Sequence, residues 1–500
     1  MTGDLDALVA RYRAEGTVED LPGGHFIDGE AVASLSGATM ESFDPGTGRA
    51  FHAFAAGDAA DVARAVESAD AALGGDWGAM PPAARGAVLA RVATLIRAHA
   101  PRLAFAECLD SGKPLQEAEG DVEGAARCFD YYAGLPDKFE GRTLPLGPDH
   151  LGYTFWEPVG VTAQIIPWNY PLSTLARGVA PALAAGCSVV VKPAEQTPLT
   201  ALMVAGLLVE AGLPDGVVNV VTGTGRAAGA PLVAHPLVRH VTFTGSCASG
   251  IEVMRAAAAN VTSVLPELGG KSPVVVLGDA DLDAAVDGVI GAIFENAGQI
   301  CSAGSRLVVE RAIHAELVER LVARARSLRL GHGLRRPDMG PVNSPAQLDK
   351  IRAFVDGARA RGLEIAAGGK ATGDPATGLG WFFEPTIIDR VPCRDEIVQE
   401  EIFGPVLAVQ VVEDAEEAIE AANATRFALV AGVYTRDFAS AHRLARRIDA
   451  GQVFVNEYFA GGIALPFGGN RMSGFGREKG SEAMRTYMKL KSVAARIVQA

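Results

Sequence analysis

Between residues 159 and 270 the chain repeats one pattern, and that pattern limits the fold more than any other feature. Short apolar runs at about 161–166, 188–192, 217–221 and 238–243 alternate with helix-like stretches at about 172–185, 197–211, 226–234 and 247–259. This alternation predicts a parallel sheet, because parallel neighbours need a crossover long enough to hold a helix. In such sheets ligands bind beyond the C-terminal strand ends. Those ends read Pro167-Trp168-Asn169, Lys192-Pro193-Ala194-Glu195, Thr222-Gly223-Thr224-Gly225 and Thr244-Gly245-Ser246. All four are polar or glycine-rich, as a nucleotide-binding rim would be. The G-x-G-x-x-G spacing of the usual dinucleotide fingerprint is missing after the first strand.

A second alternating series starts at Pro273-Val274-Val275-Val276-Leu277 and runs to about 470, with strands near 306–310, 406–412, 429–434 and 452–455. It reads as a second α/β domain. Upstream, Phe26 to Val32 reads as a hairpin turning at Asp28-Gly29, and Pro45-Gly46-Thr47-Gly48 as another turn. Helical patterns occupy about 59–75, 81–99, 101–111 and 116–134. Residues 140–158 are strand-like, are punctuated by Pro and Gly, and read as an arm. The apolar tail at about 488–498 can join them in a small protruding sheet, whose unpaired edges oligomerisation would cover.

The length of 500 residues allows two or three domains and a large core. A net charge of −14 argues against nucleic acid and anionic membranes as partners. No apolar run is long enough for a membrane span, and residues 1–20 mix acidic and basic groups without an apolar signal core. The six cysteines (108, 128, 187, 247, 301 and 393) lack C-x-x-C or zinc-ligand spacing, and the nine histidines are scattered. That favours a reducing, cytoplasmic compartment and argues against a metal site.

One cysteine has a distinctive setting. Cys301 lies among small residues in the stretch from Phe294 to Arg306, after an apolar helical run (Leu282–Phe294) and before a strand-like one. A thiolate there is a strong nucleophile and a good leaving group. Equally, Cys301 can be one more buried structural thiol. Glu267-Leu268-Gly269-Gly270-Lys271 places an acid after an apolar strand. Burial there would push its carboxyl towards neutrality, which suits a general base for water; a loop or cap carboxylate is the plainer alternative. Asn169 offers an amide donor for an oxyanion, or is only a turn residue before Tyr170-Pro171. Lys192 and Glu195 share a strand end. A carboxylate there can accept from both ribose hydroxyls and repel a 2′-phosphate; otherwise the two form a solvated ion pair. Gly245-Ser246 opening a helix can offer N–H groups and a hydroxyl to a pyrophosphate, and Gly225 lets a helix begin close to the ligand.

Together these pieces resemble the NAD(P)-dependent aldehyde dehydrogenases. The matching stretches are Pro167 to Pro171, Lys192 to Glu195, Phe243 to Ser246, Glu267 to Lys271, Gly298 to Cys301, Glu401-Ile402-Phe403-Gly404-Pro405, and Pro466-Phe467-Gly468-Gly469 with Ser473 to Glu478. They span almost the whole chain in family-like order and spacing. The resemblance implies an α/β fold of aldehyde dehydrogenase type. Its parts are a Rossmann-type NAD-binding domain (1–139 and 159–270), an α/β catalytic domain (271–470), and a small β oligomerisation arm with the C-terminal tail (140–158 and 471–500). It further implies a homodimer or homotetramer, an aldehyde substrate, and NAD as cofactor with NADP possible.

The resemblance also implies roles. Cys301 attacks the aldehyde carbonyl, and the Asn169 amide and the Cys301 backbone N–H hold the oxyanion. Hydride passes to the nicotinamide and leaves a thioester, which water activated by Glu267 hydrolyses to the carboxylic acid. Lys192, counted among the catalytic residues, and Glu195 hold the adenosine ribose. Glu401 holds the nicotinamide ribose, with Phe403 beside the ring. Ile165, Pro167, Trp168, Gly225, Phe243, Gly245, Ser246 and Leu268 complete the expected cofactor site. Cys301 needs a lowered pKa at some stage of this cycle, and Glu267 a raised one.

On the substrate side the resemblance points to Arg177, Glu295 and the segment Glu457 to Ile463, where Gly461 and Gly462 leave room. Tyr170, Phe459 and Phe467 supply apolar wall. Arg177 suits a carboxylate-bearing aldehyde such as succinate semialdehyde, but the second arginine of enzymes that take it falls on Glu295. Glu295, with Asp121, suits a cationic aminoaldehyde or betaine aldehyde. Alternatively Arg177 and Glu295 pair with each other, which leaves an aromatic or medium-chain aldehyde. Two other functions compete: a CoA-acylating relative, and a non-catalytic protein of the same fold. Glu267, which the CoA-dependent relatives typically lack, argues against the first. The joint presence of Cys301, Glu267, Asn169 and Lys192 argues against the second.

Overall fold

The computed structural model describes residues 2–18 and 20–497. Residue 498 of the expected tail strand, and residues 1, 19, 499 and 500 of the expected units, lie outside the described residues.

The alternating pattern at 159–270 folds into a sheet in the order Ser263–Glu267, Val238–Thr244, Val161–Ile165, Ser188–Lys192, Val218–Val220, His25–Ile27, Glu30–Val32. The first five strands run parallel, and the N-terminal hairpin adds two antiparallel strands at the edge. Asp28 and Gly29 turn that hairpin with φ of 57° and 78°, the left-handed pair that a two-residue loop needs. Central strands are apolar on both faces because helices cover both. Val189, Val190 and Val191 are all fully buried, each stabilising the fold by about 1.5–3 kcal/mol.

The second series forms a sheet in the order Glu364–Ala367, Thr386–Asp389, Val406–Val412, Arg306–Glu310, Pro273–Val276, Val430–Tyr434, Gln452–Val455. All pairs are parallel except the edge pair of Glu364–Ala367 with Thr386–Asp389. Neither member of that pair was legible. Glu364–Ala367 is four residues long with only Ala367 buried, and Thr386–Asp389 has four residues directly after Pro385.

The strand His150–Pro158 pairs antiparallel with Met488–Arg496 along nine residues, and Thr143–Leu144 adds a short third strand. Leu146, Leu151, Tyr153, Leu490 and Ile497 remain exposed on this small sheet and its flanks. The expected tail unit divides at its base. Residues before Met488 return to the body, where helix Gly480–Thr486 buries Ala483 and Met484. Tyr487 anchors the junction: its hydroxyl bonds Thr242 (2.9 Å) and accepts from Gln164 (3.2 Å), and its carbonyl accepts from the Val159 N–H. Apolar residues and a buried hydroxyl hold this stretch down, whereas Met488–Arg496 is mostly exposed.

Candidate functional site

From Val161–Ile165 the first sheet builds outwards through Ser188–Lys192 and Val218–Val220, then returns to add Val238–Thr244 on the other side. Ile165 and Phe243 are partners at the ends of neighbouring strands, and the sheet order reverses between them; such a switch point opens a crevice. A cleft of about 760 Å³ lies there. Lys192, Glu195, Gly225 and Ser246 line it in one region, and Asn169, Glu267, Cys301, Glu401 and Phe403 also face it. Residues more than 200 positions apart in sequence thus share one cavity.

Cys301 follows helix Leu282–Phe294, capped at its start by Asp281, whose carboxylate accepts from the Ala284 N–H. Three left-handed residues, Asn296 (φ 46°), Ala297 (φ 53°) and Gly298 (φ 71°), then break the chain sharply away from the helix axis. This strained turn is pinned from several sides. The Asn296 N–H donates to Glu117 Oε2 (3.0 Å), and its amide donates to the Asn169 carbonyl (3.1 Å). The Asn169 amide donates to the Gln299 carbonyl (2.8 Å), and Gln299 Oε1 accepts from the Asn343 N–H (2.9 Å). Tyr458 OH donates to the Ser302 carbonyl (2.9 Å). The fully buried Arg306 donates to the carbonyl of Lys271 (2.8 Å) and to those of Ala421 and Ala422, joining the cysteine segment to the Glu267–Lys271 segment. Asn169 is therefore a buried constituent of the site and more than a turn residue: one amide N–H is engaged and the other is available.

Glu267 ends the strand Ser263–Glu267 and is buried, and neither carboxylate oxygen has a protein partner. Burial pushes its carboxyl well above the ordinary range. The charge of Glu478 pushes the same way, and Arg177 opposes both. The expectation of a raised value holds. Gly468 permits the close approach, since a side chain at that position would put its Cβ 2.6 Å from Glu267 Oε1. Cys301 differs from expectation in this state. Burial pushes its thiol up to about 11; Arg177 is the strongest of the nearby charges and opposes this, while Glu267, Glu401 and Glu478 add to it, so the resting group is a thiol.

Lys192 and Glu195 do form an ion pair (3.5 Å), but Lys192 is buried and both line the cleft, so it is no simple solvated pair. Gly225 begins a π-helical turn, Gly225–Gly229, and Ser246 caps helix Cys247–Ala258 by accepting from the Ser249 N–H. Ile165, Pro167, Trp168, Phe243 and Gly245 all face the cleft. Glu401 accepts from the Gly270 N–H (3.0 Å), and a Cβ at Gly269 would collide with its carboxylate, so the two glycines cradle it. Trp168 and Phe403 meet edge to face at 5.2 Å. Leu268 is not among the residues lining the cleft. It is buried in the core against Gly250, and its N–H donates to the Ser473 carbonyl. Its neighbours Glu267 and Gly269 face the cleft instead, because the chain is extended and alternate residues point opposite ways.

Sequence reasoning missed Gln347 and Lys350, which enter the cleft from helix Pro345–Ala360; Gln347 donates to the carbonyls of Ile402 (3.0 Å) and Phe403 (2.8 Å). It also missed the apolar Val233, Val253 and Ala256 in the same cleft. These residues carry no motif; helical i, i+3 spacing relates Gln347 to Lys350 and Val253 to Ala256, and Val233 comes from a separate short helix.

On the substrate side, Tyr170 is close enough to Cys301 to feel a charge that forms on the sulfur, Phe467 belongs to the apolar cluster against which Cys301 packs, and Phe459 lies edge-on to Tyr458 (4.8 Å). The expected pairing of Arg177 with Glu295 is not formed. Arg177 pairs with the buried Glu478, which the C-terminal segment brings back across the site. Glu295 instead accepts from Tyr170 OH (3.3 Å). Asp121 does not stand free beside Glu295: it binds Lys113, whose ammonium also sits 4.0 Å from the Tyr170 ring centroid and 3.6 Å from Glu107.

Fold and cleft define a dinucleotide-dependent oxidoreductase, and comparison with known proteins narrows the class. The aldehyde dehydrogenase family model matches residues 32–493. An aminoacetaldehyde dehydrogenase from Pseudomonas aeruginosa is 44% identical, covering 96% of this chain and 97% of that protein. A Staphylococcus aureus betaine aldehyde dehydrogenase solved with NAD+ superposes with a TM-score of 0.94 at 38% identity, over 96% of each chain. A Pseudomonas syringae indole-3-acetaldehyde dehydrogenase, also solved with NAD+, gives 0.95 at 40% identity, over 98% of this chain and 99% of that one. The chain belongs to the aldehyde dehydrogenase family. It is an NAD(P)-dependent enzyme that oxidises an aldehyde to the carboxylic acid.

Proposed function

We propose that Cys301, Asn169, Glu267 and Lys192 carry this reaction, and that the observation behind the assignment is one cleft faced by all four. The Cys301 thiol gives its proton to water in the cleft and adds as the thiolate to the carbonyl carbon. The free N–H of the Asn169 amide and the Cys301 backbone N–H donate to the oxyanion that forms. Bound NAD supplies the hydride acceptor and a positively charged ring, and loss of hydride from the carbon leaves a thioester on Cys301. Glu267 takes a proton from water, the oxygen adds to the thioester carbon, and the carboxylic acid leaves as the sulfur is expelled. Lys192 and Glu195 hold the adenosine ribose, and the Glu195 carboxylate favours NAD over NADP by repelling a 2′-phosphate. Glu401 holds the nicotinamide ribose beside Phe403. NADH should form from aldehyde and NAD without CoA; formation only with CoA would overturn the hydrolytic reading.

For the substrate we propose an aldehyde with a cationic far end. Arg177 is neutralised by Glu478, which weakens the case for an anionic one. Around Tyr170, Glu107, Glu117, Asp121 and Glu295 stand against the single ammonium of Lys113. Burial and the charge of Glu295 push Glu117 up to about 8. It is neutral below that value and anionic above it. Catalytic efficiency for betaine aldehyde, divided by that for hexanal to cancel shared titrations, should therefore exceed unity and rise by about ten-fold (~1.4 kcal/mol) as pH passes upward through this range. A flat ratio, or a preference for succinate semialdehyde, would refute the proposal.

The two sheets and the arm support the division into NAD-binding (1–139 and 159–270), catalytic (271–470) and arm-plus-tail (140–158 and 471–500) units, with the tail's first half packed on the body. The exposed apolar residues and open edge of the arm support assembly into a homodimer or homotetramer. Removing residues from 488 onward should give smaller particles by light scattering; an unchanged oligomer would count against the arm. All six cysteines are unpaired, which supports the cytoplasm as its compartment. Among the described residues no helix is long and apolar enough to cross a membrane.

A further inference from the structure

Phe467 belongs to the apolar cluster against which Cys301 packs, together with Leu429, Val430 and Phe454, and two cations lie over its ring: the Arg177 guanidinium at 4.8 Å and the Lys479 ammonium at 5.3 Å from the centroid. Their circumstances differ. Arg177 is committed to Glu478, whereas among the described residues Lys479 has no carboxylate within ion-pair distance. Lys479 is also held in an unusual backbone conformation, φ 58° and ψ 177°, which is close to glycine-only territory. The corner around it is locked. Glu478 exchanges both backbone hydrogen bonds with Phe467 (2.7 and 2.8 Å), the Gly480 N–H donates to the Ile463 carbonyl (2.8 Å), and Tyr132 OH donates to the Gly480 carbonyl (2.9 Å). A side chain kept at such a position, over the wall beside the sulfur, points to a role that glycine could not fill.

The charge balance around the sulfur identifies that role. The charges that act on Cys301 are those of Arg177 from helix Pro171–Ala185, Glu267 from its strand end, Glu401 cradled by Gly269 and Gly270, and Glu478 from the C-terminal corner; Lys479, next to Glu478, and the phenols of Tyr170 and Tyr458 are near enough to feel a charge on the sulfur in turn. Three are carboxyls, and the charge of Arg177 is already shared with one of them. We propose that Lys479 is a positioning residue for the Cys301 thiolate, its unpaired ammonium offsetting the negative charge that builds on sulfur. The attraction is reciprocal, so a thiolate at Cys301 also holds the proton on Lys479. Burial and the nearby Arg177 bring the Lys479 ammonium down to about 8, so its influence is fullest at neutral pH and fades above that value.

This inference rests on Cys301 as the nucleophile, and the first readout of its test is chemical reactivity of the sulfur, independent of turnover. The rate at which iodoacetamide alkylates Cys301 in the full-length enzyme, read by peptide mass, is measured against pH. The variants are Lys479→Met, Lys479→Gly and Lys479→Arg. Lys479→Met and Lys479→Gly should move the profile up by roughly one pH unit, making alkylation about ten-fold slower near neutrality, and Lys479→Arg should restore it. The glycine variant relieves the backbone, so its loss of reactivity is not a folding defect. A wild-type profile in both the methionine and glycine variants would overturn the proposal. So would an unchanged profile with a raised KM only for carboxylate-bearing aldehydes, which would make Lys479 a substrate ligand. Retained oxidation by Cys301→Ala would instead sink the nucleophile assignment and leave the alkylation result standing.

Discussion

Cys301→Ala should abolish aldehyde oxidation, lowering kcat by about 10⁴-fold or more, roughly 5 kcal/mol of barrier. The thioester route needs an atom that both adds to the carbonyl and leaves from the acyl carbon, and among the residues facing the cleft only Cys301 is a thiol. The variant should fold and bind NAD normally. Alanine removes one half-buried sulfur from a loop held by Asn169, Asn296, Gln299 and Tyr458, and those bonds do not involve the sulfur. NADH production from an aldehyde panel, with NAD binding followed by fluorescence, checks this. Turnover within ten-fold of wild type would remove Cys301 from the mechanism.

Glu267→Gln should separate the two halves of the reaction. Acylation keeps its nucleophile, so the pre-steady-state burst of NADH survives, while steady-state turnover falls by about 10²–10⁴-fold because glutamine accepts no proton from water. The pH dependence follows from the raised carboxyl. Glu267 is neutral below its raised value and becomes a base only above it, so wild-type deacylation climbs with pH and the glutamine variant loses that climb. Stability moves separately. A buried acid with a raised pKa contributes stability that is present below its unfolded value and lost as pH rises through the folded one. Glutamine stays neutral throughout, so the variant should melt no lower than wild type at alkaline pH. A normal steady-state rate with a normal burst would end the general-base assignment.

Strong local signals carried the architecture. Helices ran within a residue or two of their expected bounds where the apolar period was long, as at Leu115–Ala133 and Pro171–Ala185, and both left-handed residues of the Asp28-Gly29 turn were foreseeable from its composition. Weak signals failed where packing decides. Glu364–Ala367 and Thr386–Asp389 become strands only because a neighbouring edge is available to pair with. The same holds within the site. Lys192 and Glu195 stand three apart, and their neighbourhood was predictable. Arg177 and Glu478 are 301 positions apart, and nothing in either local sequence says that they meet.

By itself the sequence determined the secondary-structure alternation, the parallel sheets that follow from it, and the stretches able to supply a thiol, a carboxylate and a dinucleotide rim. These depend on residue type and short spacing, which local chain geometry translates directly. The tertiary structure alone decided the ionisation of those groups and the partners of the charges. Burial raised Glu267 and kept Cys301 a thiol, and the returning C-terminal segment set Glu478 on Arg177 and Lys479 over Phe467. The reason is that a pKa depends on every charge and every displaced water around a group, and the fold gathers those from across the whole chain.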